Sequence, residues 1–76
     1  MAKLTVYSKT DCMQCNFTKK WLTEHGIEYK EIDVEKDEKA LKYIKEELGY
    51  QAVPVVVTPA ENWYGFRPDK LAELVE

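Results

Sequence analysis

Both cysteines of the chain, Cys12 and Cys15, lie in one C-x-x-C motif that reads Cys-Met-Gln-Cys. The motif follows the apolar run at residues 4–7 and precedes a helix-like pattern, so both thiols should lie on one face of a first helical turn, close enough to form a disulfide. Free N–H groups and the helix dipole at a helix N-terminus stabilise a thiolate. This arrangement suits two-electron exchange, in which Cys12 attacks a partner's disulfide and Cys15 resolves the mixed intermediate.

A C-x-x-C motif can also supply two of the four ligands of a closed zinc site. The remaining candidates here are His25 and scattered carboxylates, and there is no second cysteine pair. Residue type and spacing therefore favour redox chemistry, with no metal ion, no bound cofactor and a Cys12–Cys15 disulfide as the redox-active group. A metal-bridged dimer or a non-enzymatic adaptor that uses the two thiols as ligands remains the alternative from another class.

Length and composition limit the possible classes of protein. The 76 residues allow one small domain, residues 1–76, and a composition of 45% hydrophobic and 33% charged residues is typical of a globular chain. The net charge of −3 is spread along the chain, which argues against nucleic acid or an anionic membrane surface as a partner. Neither a spanning segment nor a secretory signal is apparent, so we expect a cytoplasmic protein whose disulfide is transient and catalytic.

Hydrophobic periodicity predicts the element order strand, helix, strand, helix, strand, strand, helix. The strands are predicted at residues 3–8, 27–33, 53–57 and 62–64, and the helices at residues 13–25, 37–48 and from Pro68 onward. The first strand–helix–strand unit should form a parallel pair, and the last two strands should form an antiparallel hairpin. The fold class is therefore α/β: a four-stranded mixed sheet with three helices, covered on both faces. The C-x-x-C motif lies at the carboxyl end of the first strand, where such sheets usually carry their sites.

Single residues give finer predictions about these elements. Asp11 is a candidate N-cap of the first helix, and Gly26 should end that helix in a left-handed conformation. The second strand, with its irregular apolar phase, should lie at an edge of the sheet. One apolar face of the first helix is formed by Met13, Phe17, Trp21 and Leu22. The buried face of the last helix is formed by Leu71, Leu74 and Val75.

A strand, a C-x-x-C motif at a helix start and a Val53-Pro54 pair about forty residues later resemble the glutaredoxin branch of the thioredoxin fold. The resemblance covers essentially the whole chain. Residues 63–71, Trp-Tyr-Gly-Phe-Arg-Pro-Asp-Lys-Leu, resemble the signature of the NrdH-type redoxins, which are glutaredoxin-shaped proteins that behave like thioredoxins. Their motif commonly reads Cys-Met-Gln-Cys, as it does here. Tyr64 departs from the family pattern, which often has a small residue at this position.

The resemblance changes the expected form of the peptide bond before Pro54. From the residues alone, a proline here opens a strand in the trans form, because cis bonds are a small minority of X–Pro bonds. The resemblance implies instead that the Val53–Pro54 bond is cis and that Pro54 packs against the cysteine pair. It also implies that the backbone of Val53 pairs with the substrate chain like an added strand.

Residues 63–68 bear on the choice of electron source. From the residues alone they form a strand end, a turn and a helix start, with Trp63 and Phe66 serving packing. Glutathione-using relatives have a Gly-Gly turn here, and the residues after it offer N–H groups to the tripeptide's carboxylate. In this chain Phe66 replaces the second glycine, while Arg67 adds bulk and Pro68 removes an N–H. We therefore expect a glutathione pocket to be blocked or much weakened.

The predicted function is that of a small, monomeric dithiol–disulfide oxidoreductase that receives electrons from thioredoxin reductase. The resemblance implies that the acceptor is the large subunit of class Ib ribonucleotide reductase. A glutathione-dependent glutaredoxin and a general thioredoxin-like reductase share the fold and remain alternatives. The predicted catalytic residues are Cys12, which should face solvent and attack, and Cys15, which should be shielded. The candidate partner contacts are Lys9, Met13, Gln14, Val53, Pro54, Trp63, Phe66 and Arg67.

Overall fold

The structure is a computed structural model that describes residues 4–75, with side chains through residue 74. The strands are β1 (Thr5–Ser8), β2 (Lys30–Asp33), β3 (Val55–Val57) and β4 (Asn62–Tyr64). The helices are α1 (Met13–Glu24), α2 (Glu38–Lys42), which continues as a π-helical turn (Tyr43–Glu47), and α3 (Pro68–Ala72), which ends in a 3-10 turn (Glu73–Val75). This is the predicted element order. Residue 3 of the predicted first strand lies outside the described residues.

The four strands form one mixed sheet in the order β2-β1-β3-β4. β1 pairs in parallel with β2, with Val6 opposite Glu31, and antiparallel with β3. β3 and β4 form an antiparallel hairpin. The predicted parallel pair, the hairpin and the edge position of β2 are therefore confirmed. β2 begins at Lys30, three residues later than the predicted strand.

Two apolar clusters pack on the two faces of the sheet, which confirms that helices cover both. One cluster joins α1 and α3 to the sheet and contains Leu4, Val6, Leu22, Val56, Trp63 and Leu71. The other joins α2 to the sheet and contains Val34, Ala40, Ile44 and Val55. Because Val55 and Val56 point to opposite faces and both are fully buried, β3 needs the unbroken apolar run that distinguishes it in the sequence.

The buried face of α1 coincides only in part with the apolar face read from the sequence. It is formed by Cys15, Thr18 and Leu22. Of the residues on the predicted apolar face, Leu22 is buried, whereas the side chains of Met13 and Phe17 are 71% and 49% exposed. The helix can bury polar Thr18 because its hydroxyl donates to the carbonyl oxygen of Gln14 at 2.9 Å. The buried row therefore runs through the second cysteine, and two large apolar side chains are left on the surface.

The ends of the helices lie where the sequence-based predictions placed them. Gly26 has a φ of 67°, the left-handed conformation predicted after α1, and Pro68 occupies the first turn of α3. In α3 and its 3-10 turn, Leu71 is buried and Leu74 half-buried as predicted, whereas the side chain of Val75 lies outside the described part of the chain. Within residues 4–75, no helix has the length and apolar character needed to cross a bilayer.

Candidate redox-active site

Cys12 and Cys15 form a disulfide at the N-terminus of α1. Cys12 is the N-cap residue, and its Sγ accepts the N–H of Cys15 at 3.2 Å. The two sulfurs differ in access, because Cys12 is 8% exposed and Cys15 is fully buried. The surface of Cys12 is smaller than expected for a solvent-facing thiol, since its Sγ lies 3.8 Å from the carbonyl oxygen of Val53. Of the two cysteines, only Cys12 therefore has any surface that a reactant can reach.

The turn between β1 and α1 corrects the predicted role of Asp11. Asp11 is not the N-cap but the residue before it, and it has a φ of 59°. Aspartate tolerates this left-handed region better than most residues, because its short polar side chain can make local hydrogen bonds. The reversal at Asp11 brings Cys12 into the cap position, so the cap acceptor is the sulfur that takes part in the disulfide.

The loop before β3 lies against the disulfide. Its Val53–Pro54 peptide bond is cis, as the resemblance implied. The Pro54 side chain is fully buried, and its carbonyl oxygen accepts the N–H of Gly65 at 2.7 Å. Val53 is half-buried, and its N–H has no hydrogen-bond partner among residues 4–75. This loop is thus hydrogen-bonded to the turn after β4, and the N–H of Val53 remains unpaired close to Cys12.

The turn after β4 is linked to the C-x-x-C motif through Gln14. The Gln14 Oε1 accepts the N–H of Phe66 at 3.3 Å, across 52 positions in the chain. Gly65 has a φ of 82°, and a Cβ added there would lie 3.5 Å from the same oxygen. Glycine is therefore suited to this position by its backbone conformation, and its N–H is already bound by the Pro54 carbonyl.

The charged groups of this turn are also paired with one another. The Arg67 guanidinium donates to the two carboxylate oxygens of Asp69 at 3.2 and 3.0 Å. This interaction is the main reason that the pKa of Asp69 lies below its usual value and the pKa of Arg67 above its usual value. The cation predicted to contact a partner is therefore engaged within the chain, on an exposed surface where the pair adds little stability.

The aromatic residues predicted near the site have different environments. Trp63 is 5% exposed and belongs to the cluster under α1 and α3, so its side chain has the packing role expected from the residues alone. Its indole N–H is buried and has no partner in the described part of the chain. Phe66 is half-buried, and its ring centroid lies 6.0 Å from that of Phe17. Phe17, which was not among the candidate partner contacts, thus lies at the surface together with Met13 and Phe66.

A polar cluster connects β1, β2 and α1. Ser8, which is 1% exposed, donates to Glu31 Oε2 at 2.9 Å, and Lys19 Nζ lies 2.7 Å from the same oxygen. The hydrogen bond from Lys19 is the largest cause of a pKa of Glu31 below its usual value. This cluster joins α1, which carries both cysteines, to two strands of the sheet.

The remaining candidate ligands lie apart from the cysteines. His25 is the C-cap residue of α1, at the opposite end of the helix from the disulfide, where its Nδ1 lies 2.8 Å from the carbonyl oxygen of Trp21. Among the residues that the structure describes, no group of three or more His, Cys, Asp or Glu side chains could hold a metal ion. Lys9 is exposed, in the turn that leads to Cys12.

Comparison with known proteins agrees with this geometry. The family model described as Glutaredoxin matches residues 4–61. The glutaredoxin-like protein NrdH of Lactococcus lactis subsp. cremoris is 42% identical over 71 residues, which cover 93% of this chain and 97% of that protein. NrdH of Escherichia coli K12 is 32% identical over 72 residues, which cover 95% of this chain and 88% of that protein. A solved structure is that of the E. coli NrdH-redoxin, a glutaredoxin-like protein with a thioredoxin-like activity profile. It superimposes on this chain with a TM-score of 0.89 at 32% identity, and the match covers 93% of this chain and 92% of that one.

The mixed sheet and the disulfide at a helix N-terminus define the class of protein as a thiol–disulfide oxidoreductase of the thioredoxin fold. The matched length and the identity to curated relatives define it more narrowly. The chain belongs to the glutaredoxin family and, within that family, to the NrdH-type redoxins.

Proposed function

We propose that this protein carries two electrons, as the Cys12/Cys15 dithiol, from thioredoxin reductase to the large subunit of class Ib ribonucleotide reductase in the cytoplasm. The similarity to NrdH proteins supports the choice of acceptor. The choice of electron donor depends on one observation: in the turn after β4, the N–H groups of Gly65 and Phe66 and the guanidinium of Arg67 are bound within the chain.

The cysteine pair has the asymmetry that such a carrier needs. In the reduced protein, Cys12 at the N-cap is the thiolate, because the helix N-terminus and the N–H of Cys15 stabilise negative charge on its sulfur. Cys12 attacks a partner's disulfide, forming a mixed disulfide and releasing one partner thiolate. Cys15 then attacks the Cys12 sulfur and releases the second partner thiolate. The Cys12–Cys15 disulfide forms, and two electrons pass to the partner.

The Val53 backbone supports binding of an extended partner segment. Its carbonyl oxygen lies 3.8 Å from the Cys12 Sγ, and its N–H has no partner among the described residues. An extended chain can hydrogen-bond to this N–H and this carbonyl oxygen as an added strand. In this role Val53 aligns the partner's disulfide with Cys12, while the buried side chain of Pro54 holds the loop in place.

The turn after β4 argues against glutathione as the donor of electrons. A carboxylate ligand needs free N–H groups or a free cation, since charge-assisted hydrogen bonds supply its affinity. Here the N–H of Gly65 is bound to a loop carbonyl, the N–H of Phe66 to Gln14 and the guanidinium of Arg67 to Asp69. Glutathione would have to displace these contacts, whereas a protein reductase can dock on the surface as it stands.

Two coupled assays test the proposal. NADPH oxidation is followed with thioredoxin reductase and, separately, with glutathione and glutathione reductase, using the wild-type protein and Cys12→Ser as the inactive control. We expect efficient turnover only in the first system. Comparable turnover at physiological glutathione would instead make the protein a glutathione-dependent glutaredoxin.

The acceptor needs its own measurement. The thioredoxin-reductase system is coupled to class Ib ribonucleotide reductase and, in parallel, to insulin as an unrelated disulfide substrate. We expect deoxyribonucleotide formation to saturate at a much lower redoxin concentration than insulin reduction. Equal efficiency with both would make the protein a general thioredoxin-like reductase, and stoichiometric zinc in the purified protein would support the metal-bridged alternative.

A further inference from the structure

The loop at residues 50–54, which contains the cis peptide bond, is held at its two ends and not along its length. Residues 51–52 are exposed and make no hydrogen bond to any residue that the structure describes. At one end, the carbonyl oxygen of Pro54 accepts the N–H of Gly65 at 2.7 Å. At the other end lies Tyr50. The position of the backbone beside the disulfide therefore depends on how firmly Tyr50 is held.

Tyr50 is held by its backbone and by its side chain. Its N–H donates to the carbonyl oxygen of Ile44 at 2.8 Å. Its hydroxyl donates to Asn62 Oδ1 at 2.6 Å and lies 3.3 Å from the carbonyl oxygen of the same residue. Its ring centroid lies 5.5 Å from that of Tyr64. The backbone of Tyr50 is thus joined to the π-helical turn, and its side chain is joined to β4.

The side chain of Tyr50 lies along one face of β4. Asn62 and Tyr64 are two positions apart in this strand, so their side chains point to the same face of the sheet, opposite to the buried Trp63. Tyr50 contacts both of them, with its ring at Tyr64 and its hydroxyl at Asn62. Because Gly65 directly follows β4, both ends of the loop are attached to this strand and its turn.

The hydroxyl of Tyr50 adds a direction that ring packing alone does not give. A ring can pack against Tyr64 in several orientations, whereas the hydrogen bond to Asn62 selects one. A loop that is already held in its binding geometry loses less conformational entropy when a partner binds. We propose that Tyr50 is a positioning residue for disulfide exchange: its hydroxyl holds the loop so that the Val53 backbone is ready to pair with an extended segment of a protein partner. The inference rests on the function proposed above, in which Val53 forms this pairing.

A positioning role of this kind affects only some substrates. A disulfide without a peptide backbone cannot form an added strand with Val53, so its reaction depends on the Cys12 sulfur alone. A peptide disulfide uses both the sulfur and the loop. Loss of the Tyr50 hydroxyl should therefore weaken the binding of peptide disulfides and leave small disulfides unaffected.

The test uses the reduced protein after removal of the reductant, so that no electron donor takes part. One substrate is the disulfide-linked dimer of a short extended peptide with a single central cysteine, and the other is bis-hydroxyethyl disulfide. The rate of each reaction is measured in single turnover over a range of substrate concentrations. Tyr50→Phe should raise the half-saturating concentration of the peptide disulfide about fivefold, with little change in the maximum rate. Its rate with bis-hydroxyethyl disulfide should equal that of wild type.

Three further variants control for indirect effects. Asn62→Ala removes the main acceptor and should raise the same concentration in the same direction. The double variant Tyr50→Phe/Asn62→Ala should be no worse than Tyr50→Phe, because both changes remove one hydrogen bond. Tyr43→Phe removes a hydroxyl that has no hydrogen-bond partner among the described residues, so it should behave as wild type.

An unchanged half-saturating concentration in Tyr50→Phe would overturn the positioning role. An equal rise in Tyr43→Phe, an equal loss with bis-hydroxyethyl disulfide or additive effects in the double variant would overturn it as well. If thermal unfolding shows that Tyr50→Phe is unfolded, Asn62→Ala decides in its place, and a wild-type value there would have the same meaning.

The pairing at Val53 has a separate test. A peptide that is methylated on the backbone nitrogens flanking its cysteine cannot donate to the Val53 carbonyl oxygen, so wild type should bind it more weakly than the parent peptide. Equal binding of the two peptides would refute the proposed pairing, and the role of Tyr50 with it. Weaker binding of the methylated peptide together with an unaffected Tyr50→Phe would overturn the role of Tyr50 alone.

Discussion

The side chain of Gln14 occupies a backbone donor that a carboxylate ligand could otherwise use, so Gln14→Ala should increase the use of glutathione. Its Oε1 accepts the N–H of Phe66 at 3.3 Å on an exposed surface. Such a neutral hydrogen bond contributes about 0.5–1.5 kcal/mol to the free energy of unfolding, so the variant should remain folded. A freed N–H that binds a carboxylate gains about 1.5 kcal/mol, which corresponds to about tenfold in kcat/KM.

The assay is glutathione-dependent reduction of a small disulfide, coupled to glutathione reductase and NADPH. Two variants control for indirect effects. Gln14→Glu keeps an acceptor for Phe66 but adds a negative charge that repels the carboxylate, so its glutathione turnover should not rise. Asn16→Ala removes an exposed amide from the same helix and should have no effect.

We expect Gln14→Ala to remain a poor glutaredoxin in absolute terms, because Phe66 and Pro68 still occupy the turn. Glutathione turnover equal to wild type, in a variant whose thermal unfolding is also unchanged, would refute the reasoning that this hydrogen bond closes the turn. An equal gain in Gln14→Glu would refute it as well, since the charge would then have no role.

Three further predictions concern the chemistry and the stability of the fold. Cys12→Ser should abolish disulfide reduction, whereas Cys15→Ser should accumulate a mixed disulfide through Cys12 that mass spectrometry detects; trapping through Cys15 instead would reverse the assigned roles. Leu22→Ala, at a fully buried position in α1, should lower the free energy of unfolding in urea by about 2–5 kcal/mol, and a cost below 1 kcal/mol would mean that this face is poorly packed. Glu31→Gln should destabilise the protein at neutral pH by less than about 1 kcal/mol, because Lys19 pairs with a half-exposed carboxylate. The folded pKa of Glu31 is lowered, so this contribution is complete above the unfolded pKa of about 4.3 and is lost as the pH falls through the folded value. A difference between wild type and Glu31→Gln that stays constant down to pH 3 would contradict the assignment.

The sequence by itself determined the order of the elements and the position of the redox pair. Strand and helix periodicities are local patterns, and they end at local signals such as Gly26 and Pro68, so they can be read without knowing what the chain packs against. The C-x-x-C motif is local for the same reason, because its two thiols are brought together within one helical turn. The cis bond before Pro54 was expected only from the family resemblance, since the residues alone favour trans.

Only the tertiary structure decided which side chains form the surface around the disulfide. Periodicity grouped Met13 and Phe17 with Leu22, but the buried row of α1 is set by the sheet beneath it, and Cys15 and Thr18 occupy that row. The tertiary structure also buries Trp63 between the sheet and the helices, although the sequence placed it among the candidate partner contacts.

The contacts that join the motif to the rest of the site connect residues far apart in the chain. Gln14 binds Phe66 across 52 positions, and Cys12 contacts Val53 across 41. Both contacts depend on the strand order that places β3 next to β1 and β4 next to β3. No local pattern encodes such a pairing, because each partner is an ordinary backbone group until the fold brings a side chain within reach.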